Sequence, residues 1–289
     1  MSNIGNFFTY IYIPVKCNKI TKQKSKACFD TLLNLIEKQL IIYNSQELST
    51  LFGDSPNGRI NKEEISKYIY YQLDKLNIHH QKNDNIQNKC FENELHITIV
   101  DLVHIKEYMI ESFISKIRKE LKNQNSFYLF FNNEVDLYKS QNYSKFFCAY
   151  TVNEEDQELH LNSLINKINN LLTQFGLSNN FVNRNCHVSL AYTNIDLTKL
   201  LKKEKLSIDQ TCWFNINKII KEDSEVEREI NTDIISSNTT FISCDDFYIY
   251  VNCICVRIGK KIYKIPFKSY NDKLLSIHSD DSYITSSDD

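Results

Sequence analysis

Two short runs, Leu95-His96-Ile97-Thr98-Ile99-Val100 and Cys186-His187-Val188-Ser189-Leu190-Ala191-Tyr192, each set a histidine two residues before a hydroxyl in an otherwise apolar stretch. On a strand, that spacing turns both polar side chains to one face and the apolar ones to the other. Two such faces brought together would supply two imidazoles for general acid and general base work. They would also supply two hydroxyls to hold the oxygens of a tetrahedral anion. The other histidines, His79, His80, His104, His160 and His278, have Gln81, Lys82, Lys106, Asn162 and Asp280 at the second position and lie in polar or helical surroundings. From the residues alone, a pair of half-buried histidines that merely precede hydroxyls remains the competing reading.

The elements around each motif decide whether the faces can meet. Phe7 to Val15 alternates large apolar residues and ends at Pro14, as an opening strand does. Ser25 to Ile42 has helical apolar spacing through Phe29, Leu32, Leu33, Ile36 and Leu40. Residues 43–93 are polar and rich in Asn and Lys, with one short helix expected from Lys62 to Leu76, and read as an insertion. After the first motif, Ile105 to Leu121 is an amphipathic helix, followed by strands at Ser126 to Phe131, Val135 to Tyr138 and Lys145 to Val152. A helix from Gln157 to Phe175 ends near Gly176, a residue suited to a C-cap. After the second motif, Asp196 to Lys221 reads as mainly helical and 222–240 as a polar loop. Phe247 to Ile258 and Lys261 to Phe267 form a hairpin across Gly259-Lys260, and the acidic tail from 269 to 289 is expected to be disordered. Each motif strand is thus associated with strands and a long helix, the pattern of two related α+β halves.

Composition narrows the function. With 5 glycines and 3 prolines in 289 residues there is neither a P-loop nor a GxGxxG cradle for phosphates. No apolar run approaches the roughly 20 residues that span a bilayer, and no basic-then-apolar leader opens the chain, so a soluble intracellular protein is expected. The nine cysteines are scattered apart from Cys253-Ile254-Cys255, which has no partner pair, so reduced and mostly buried thiols are expected rather than a zinc site. The formal net charge is −2, and four aspartates fall in the last ten residues. A polyanion would therefore be gripped locally rather than by a broad basic field. The Lys and Arg clusters at 118–122 and 199–205 read as solvated helix faces. Gly53 to Glu64 imitates a calcium loop, but Gly53 stands at the first ligand position without a carboxylate, so an Asn-Gly turn before a helix is the better reading.

The paired His-x-Thr/Ser strands resemble the 2H phosphoesterase superfamily. Several flanking stretches are similar to its U6 small nuclear RNA phosphodiesterase branch, a group of 3′-to-5′ exoribonucleases. These are Gly5 to Pro14, Asp136-Leu137-Tyr138 with Phe146 to Val152, Cys186 to Tyr192, and Val256 to Phe267, in the family's order. The first motif has Thr98 where the branch more often has Ser, which keeps the hydroxyl. Tyr192 stands where Trp is usual and, by strand parity, points away from His187. Phe181 stands where the branch tends to have a Tyr that stacks on the terminal base. It keeps the ring and loses the phenol.

The resemblance implies one bilobal α+β domain over residues 1–268: two pseudo-symmetric antiparallel sheets with flanking helices and a central catalytic cleft. It implies His96, Thr98, His187 and Ser189 as catalytic residues and Phe181 as the base-stacking residue, with no metal and no cofactor. The expected partner is the U-rich 3′ end of a single-stranded RNA such as U6 small nuclear RNA, in the nucleus, with no membrane, no DNA cleavage and a monomeric chain. One imidazole would take the proton of the penultimate ribose 2′-hydroxyl, and the other would protonate the departing 5′-oxygen. The end left would be a 2′,3′-cyclic phosphate or a monophosphate. The alternatives are opening of a 2′,3′-cyclic phosphate on a nucleotide or RNA end, and a non-enzymatic module that binds RNA ends.

Overall fold

The computed structural model describes residues 5–40, 62–72, 95–139, 145–177, 185–200, 213–215 and 246–269. Among these residues ten strands are formed: β1 (Asn6–Pro14), β2 (Ile69–Tyr71), β3 (His96–Lys106), β4 (Phe127–Lys139), β5 (Phe146–Val152), β6 (His187–Thr193), β7 (Trp213–Asn215), β8 (Tyr248–Val251), β9 (Cys253–Ile258) and β10 (Lys261–Pro266). They make one antiparallel sheet in the order β10-β9-β1-β3-β6-β5-β4-β7, with β2 beside β6 and β8 beside β4. The expectation of two separate sheets is therefore corrected to one continuous sheet. The two motif strands, β3 and β6, are its middle pair and join at Ile97↔Val188.

Period-two alternation explains which side is buried. In β3 and β6, Ile97, Ile99, Val188 and Leu190 are fully buried, while His96 is exposed and Thr98, His187 and Ser189 are half-buried. Each buried aliphatic side chain contributes about 1.5–3 kcal/mol, so a one-residue slip that exchanged the faces would be heavily disfavoured. The first helix, Lys19–Leu40, packs on β6 and β5 and buries Leu32 and Ile36, and its Ser25 hydroxyl donates to the Leu190 carbonyl. It begins six residues before the apolar periodicity does. Asn18 Oδ1 caps its first turn by accepting from the Thr21 N–H at 2.9 Å, and Lys22 to Lys24 keep that turn polar. The Ile110–Glu120 helix buries Phe113, Ile114 and Ile117 and lies against the Asn162–Gln174 helix. Among the described residues, no helix is long and apolar enough to cross a membrane.

Other expectations shift in instructive ways. The strands expected on either side of Asn132-Asn133 are one strand, β4, with a register irregularity between Phe131 and Val135. Its first half pairs with β8 and its second with β5 and β7. The run from Phe247 is broken at Asn252, whose carbonyl accepts from the Phe267 N–H, so β8 and β9 serve different parts of the sheet. The insertion contributes a short helix, Lys62–Ser66, and then β2 rather than a helix to Leu76. The segment expected to be helical through Lys221 has a helix at Leu197–Leu200 and a strand at β7, and its other residues from 201 to 221 lie outside the described residues. The Gly53–Glu64 turn lies outside them up to Asn61, as do the 222–240 loop and all of the tail beyond Ser269. Gly176 ends its helix at φ +68° as expected, and Gly259, at φ +57°, makes the β9–β10 turn. A Cβ on Gly259 would meet the Phe7 ring at 3.2 Å.

Candidate active site

The pairing of Ile97 with Val188 fixes the geometry of the motifs. Extending that antiparallel register by one residue each way sets His96 opposite Ser189 and Thr98 opposite His187, all four on the face away from the core. The two imidazoles then occupy one diagonal of a square and the two hydroxyls the other. Diagonal neighbours across such a pair stand roughly 7–8 Å apart, a span that two side chains can close around one tetrahedral group. Sequence parity predicts that each histidine shares a face with its own hydroxyl. It cannot predict that each faces the hydroxyl of the other motif.

The first imidazole is walled by β1. Tyr12 lies opposite Thr98 and presents its ring edge to His96 at 5.5 Å, Tyr10 stacks on Tyr12 at 5.1 Å, and Pro14 pairs with His96. The second imidazole is seated by residues whose role the sequence did not reveal. Tyr138 stacks on His187 with ring centroids 3.5 Å apart and planes 20° from parallel. The Thr151 hydroxyl donates to the Asp136 carboxylate, so at the 3.2 Å contact between Tyr138 and Thr151 the tyrosine must be the donor. Burial raises the Asp136 pKa, partly offset by the Thr151 hydrogen bond, with the Glu134 charge raising it further. Burial likewise pushes the Tyr138 phenol far up, so it stays protonated and keeps donating. These residues carry a recognisable signal only once β4, β5 and β6 are known to be adjacent, since Asp136 and Thr151 are fifteen residues apart.

The backbone before His187 is held from another direction. A π-helical turn at Gln157–Leu161 interrupts the helix that leads to Gln174, and buried Gln157 accepts from the Cys186 N–H at 2.9 Å. Gln157 also donates to Asn162 Oδ1 at 2.9 Å, which fixes its amide. His187 Nδ1 lies 3.3 Å from the Asn185 carbonyl, a pure acceptor, so in that contact Nδ1 carries the hydrogen. The thiols are buried at Cys28, Cys148, Cys186, Cys253 and Cys255, while Cys17 is exposed, and these six are not joined in disulfides. Burial pushes the Cys186 thiol up to about 12, so it stays neutral beside the site.

Two sequence expectations end differently. Phe181 lies outside the described residues. Tyr192 does not follow simple parity, because the β5–β6 register shifts between Cys148 and Ala149. That shift sets Tyr192 opposite Phe147, the partner of Tyr138 on the other side of β5. The bulge therefore returns Tyr192 to the His187 face, where it is buried and stacked on Tyr70 at 5.1 Å. There it packs against a ring contributed by the insertion.

Two imidazoles and two hydroxyls on an open face, one imidazole clamped by a tyrosine, can perform acid–base chemistry at a tetrahedral centre. The chain belongs to the family described as "HVSL: Uncharacterised conserved protein", whose model matches residues 2–266. The four letters coincide with His187-Val188-Ser189-Leu190 of this chain. The Dictyostelium discoideum protein named U6 snRNA phosphodiesterase 1 is 28% identical over 106 residues, and the match spans 37% of this chain and 37% of that relative's own length. Two solved structures of Kluyveromyces marxianus Usb1, one with uridine monophosphate, align over 90% of this chain and 98% of theirs. Their identities are 9% and 10% and their TM-scores 0.41 and 0.44. The likeness to the U6 small nuclear RNA phosphodiesterases read from the sequence is borne out.

Proposed function

We propose that the protein is a phosphodiesterase that shortens the 3′ end of a U-rich single-stranded RNA such as U6 small nuclear RNA, working in the nucleus. The observation that carries this reading is the Ile97↔Val188 pairing, which draws His96, Thr98, His187 and Ser189 onto one open face. The sheet order is in keeping with a bilobal fold, since the main path has four strands on each side of the β3–β6 seam, with β2 and β8 added on the β6 side. The Dictyostelium relative's name supports the choice of RNA.

In the proposed reaction one imidazole takes the proton of the penultimate 2′-hydroxyl as that oxygen bonds to phosphorus. The bond from phosphorus to the terminal 5′-oxygen breaks, and the other imidazole supplies the proton that this oxygen needs. The shortened RNA keeps a 2′,3′-cyclic phosphate, and the released nucleoside has a free 5′-hydroxyl. Thr98 and Ser189 donate to the non-bridging oxygens as charge gathers there. With Nδ1 of His187 engaged by Asn185, its Nε2 is the atom that exchanges the proton. The nucleophile is internal to the substrate, so the step needs no metal, and DNA lacks that nucleophile.

The test is an oligouridine-tailed RNA and the same RNA with a single 2′-deoxy sugar at the penultimate position, with products resolved by mass. Stepwise shortening of the first and none of the second is expected. Shortening of both would rule out 2′-hydroxyl attack. Opening of a cyclic end without shortening would make the protein a cyclic phosphodiesterase, and binding without cleavage would make it an RNA-end-binding module.

A further inference from the structure

The face that carries the four motif residues continues along β1 as a row of rings. Tyr12, Tyr10 and Phe8 are alternate residues, spaced about 6.6–6.8 Å apart along the strand, and lead away from His96. Tyr12 is buried and belongs to the His96 wall, Tyr10 is half-buried, and Phe8 is 58% exposed. An exposed phenylalanine in mid-strand adds nothing to the core. Its ring instead lies 4.6 Å from His104, its partner on β3.

Basic groups flank this row on both sides. Arg257 is opposite Tyr10 on β9, its guanidinium 5.8 Å from the ring centre, with Nη1 donating to the phenol at 3.3 Å and Nε to the Gly259 carbonyl at 3.1 Å. Lys264 on β10 is opposite Cys255, which is itself opposite Tyr12, so the lysine is exposed on the same face. On the other flank Lys106 pairs with Asn6, and its ammonium lies 5.9 Å from the exposed Tyr108 ring. Asp101 and Glu107 are the acidic residues on or beside this part of β3, and Asp101 accepts from the Leu102 N–H.

A second set of rings, exposed Tyr128, Tyr248 and Tyr250 with half-buried Phe130, lies across β4 and β8 and makes a useful contrast. Asp156 accepts from the Phe130 N–H, and Asp246 leads into β8, so its border has the wrong charge for phosphates. Rings between cations, continuous with a catalytic face, are what single-stranded nucleic acid requires: planar surfaces for bases and charges for the backbone.

We propose that the β1 face is the track for the RNA strand that leads up to the scissile phosphate. Bases stack on Phe8 and Tyr10, and backbone phosphates meet Arg257 and Lys264. This inference rests on the RNA reading above and adds where the body of the substrate lies. Its test uses 2′-O-methyl oligouridines, which have no free 2′-hydroxyl and so cannot be cut, binding to the full chain as a dinucleotide and as an octanucleotide. The wild type is expected to bind the octanucleotide more tightly.

Phe8→Ala should remove about fivefold to a hundredfold of that gain, the usual worth of one stacked base. Lys264→Gln should lower the salt dependence of octanucleotide binding by about the contribution of one phosphate contact. Tyr128→Ala, on the other aromatic face, should leave the gain intact. The track is overturned if the octanucleotide binds no more tightly than the dinucleotide. It is equally overturned if Phe8→Ala leaves the gain whole, or if Tyr128→Ala abolishes it. Ribo-oligonucleotides assayed in parallel keep the two readings apart. Phe8-dependent binding without cleavage would retain the track and remove the enzyme, while cleavage indifferent to Phe8 would do the reverse.

Discussion

Tyr138 offers a sharp test of how the second imidazole is held, because its ring and its hydroxyl can be removed separately. The ring lies 3.5 Å from His187 and is almost completely buried, and the hydroxyl donates to Thr151. An aromatic stack contributes about 0.5–1.5 kcal/mol beyond the area it buries. Lost wholly from the transition state, that is about a 2- to 13-fold fall in kcat. If His187 also drifts by about 1 Å, the loss can approach a hundredfold. Tyr138→Leu, which keeps apolar bulk without the flat face, should therefore lower kcat about tenfold with KM unchanged. Tyr138→Phe keeps the stack and loses a hydrogen bond worth about 0.5–1.5 kcal/mol of stability, so it should fall in melting temperature while kcat stays near wild type. The assay is steady-state cleavage of an oligouridine-tailed RNA, alongside thermal unfolding of each variant. A folded Tyr138→Leu protein with wild-type kcat would refute the positioning role. A Tyr138→Phe variant as slow as Tyr138→Leu would move that role from the ring to the hydroxyl.

Three further outcomes follow from the same geometry. Thr98→Ala or Ser189→Ala should each cost about 10²–10³ in kcat, the usual cost of one lost donor to a developing oxyanion, whereas Thr98→Ser should stay near wild type; rates for all three decide it. Asp136 has a folded pKa above its ordinary 3.8, so the native state holds its proton more tightly and stability falls as pH rises from about 4 through the raised value. Denaturant unfolding of Asp136→Asn across that range should lack this decline, and identical slopes for both proteins would contradict the shift. Gln157→Ala would leave the buried Cys186 N–H without its acceptor, at about 1–3 kcal/mol, and should lower activity through the displaced His187 backbone. Unfolding and cleavage measured together test that link.

Much of the candidate site was legible because it rests on period-two alternation within single strands. His96 with Thr98, His187 with Ser189, and the buried Ile97 and Val188 between them follow from residue type and spacing alone. The seat of His187 was not legible, since Asp136, Tyr138, Thr151 and Gln157 meet it only through strand pairing and a π-helical turn. Local patterns also misled where a strand keeps its course through polar residues or bulges. Asn132-Asn133 lies inside β4, and the irregularity in β6 turns Tyr192 to the face that simple parity denies it. Ile69 to Tyr71 falls in the stretch read as a helix from Lys62 to Leu76, and only its pairing with β6, a contact with residues more than a hundred positions away, makes it a strand.

If the two imidazoles act as a pair, cleavage needs both. Single-turnover cleavage of an oligouridine-tailed RNA by folded His96→Ala and His187→Ala measures this directly. Each variant should lose about 10²–10⁴ in rate, the usual contribution of one general acid or base. Wild-type cleavage by either folded variant would contradict the assignment of acid–base work to the face that Ile97 and Val188 bring together.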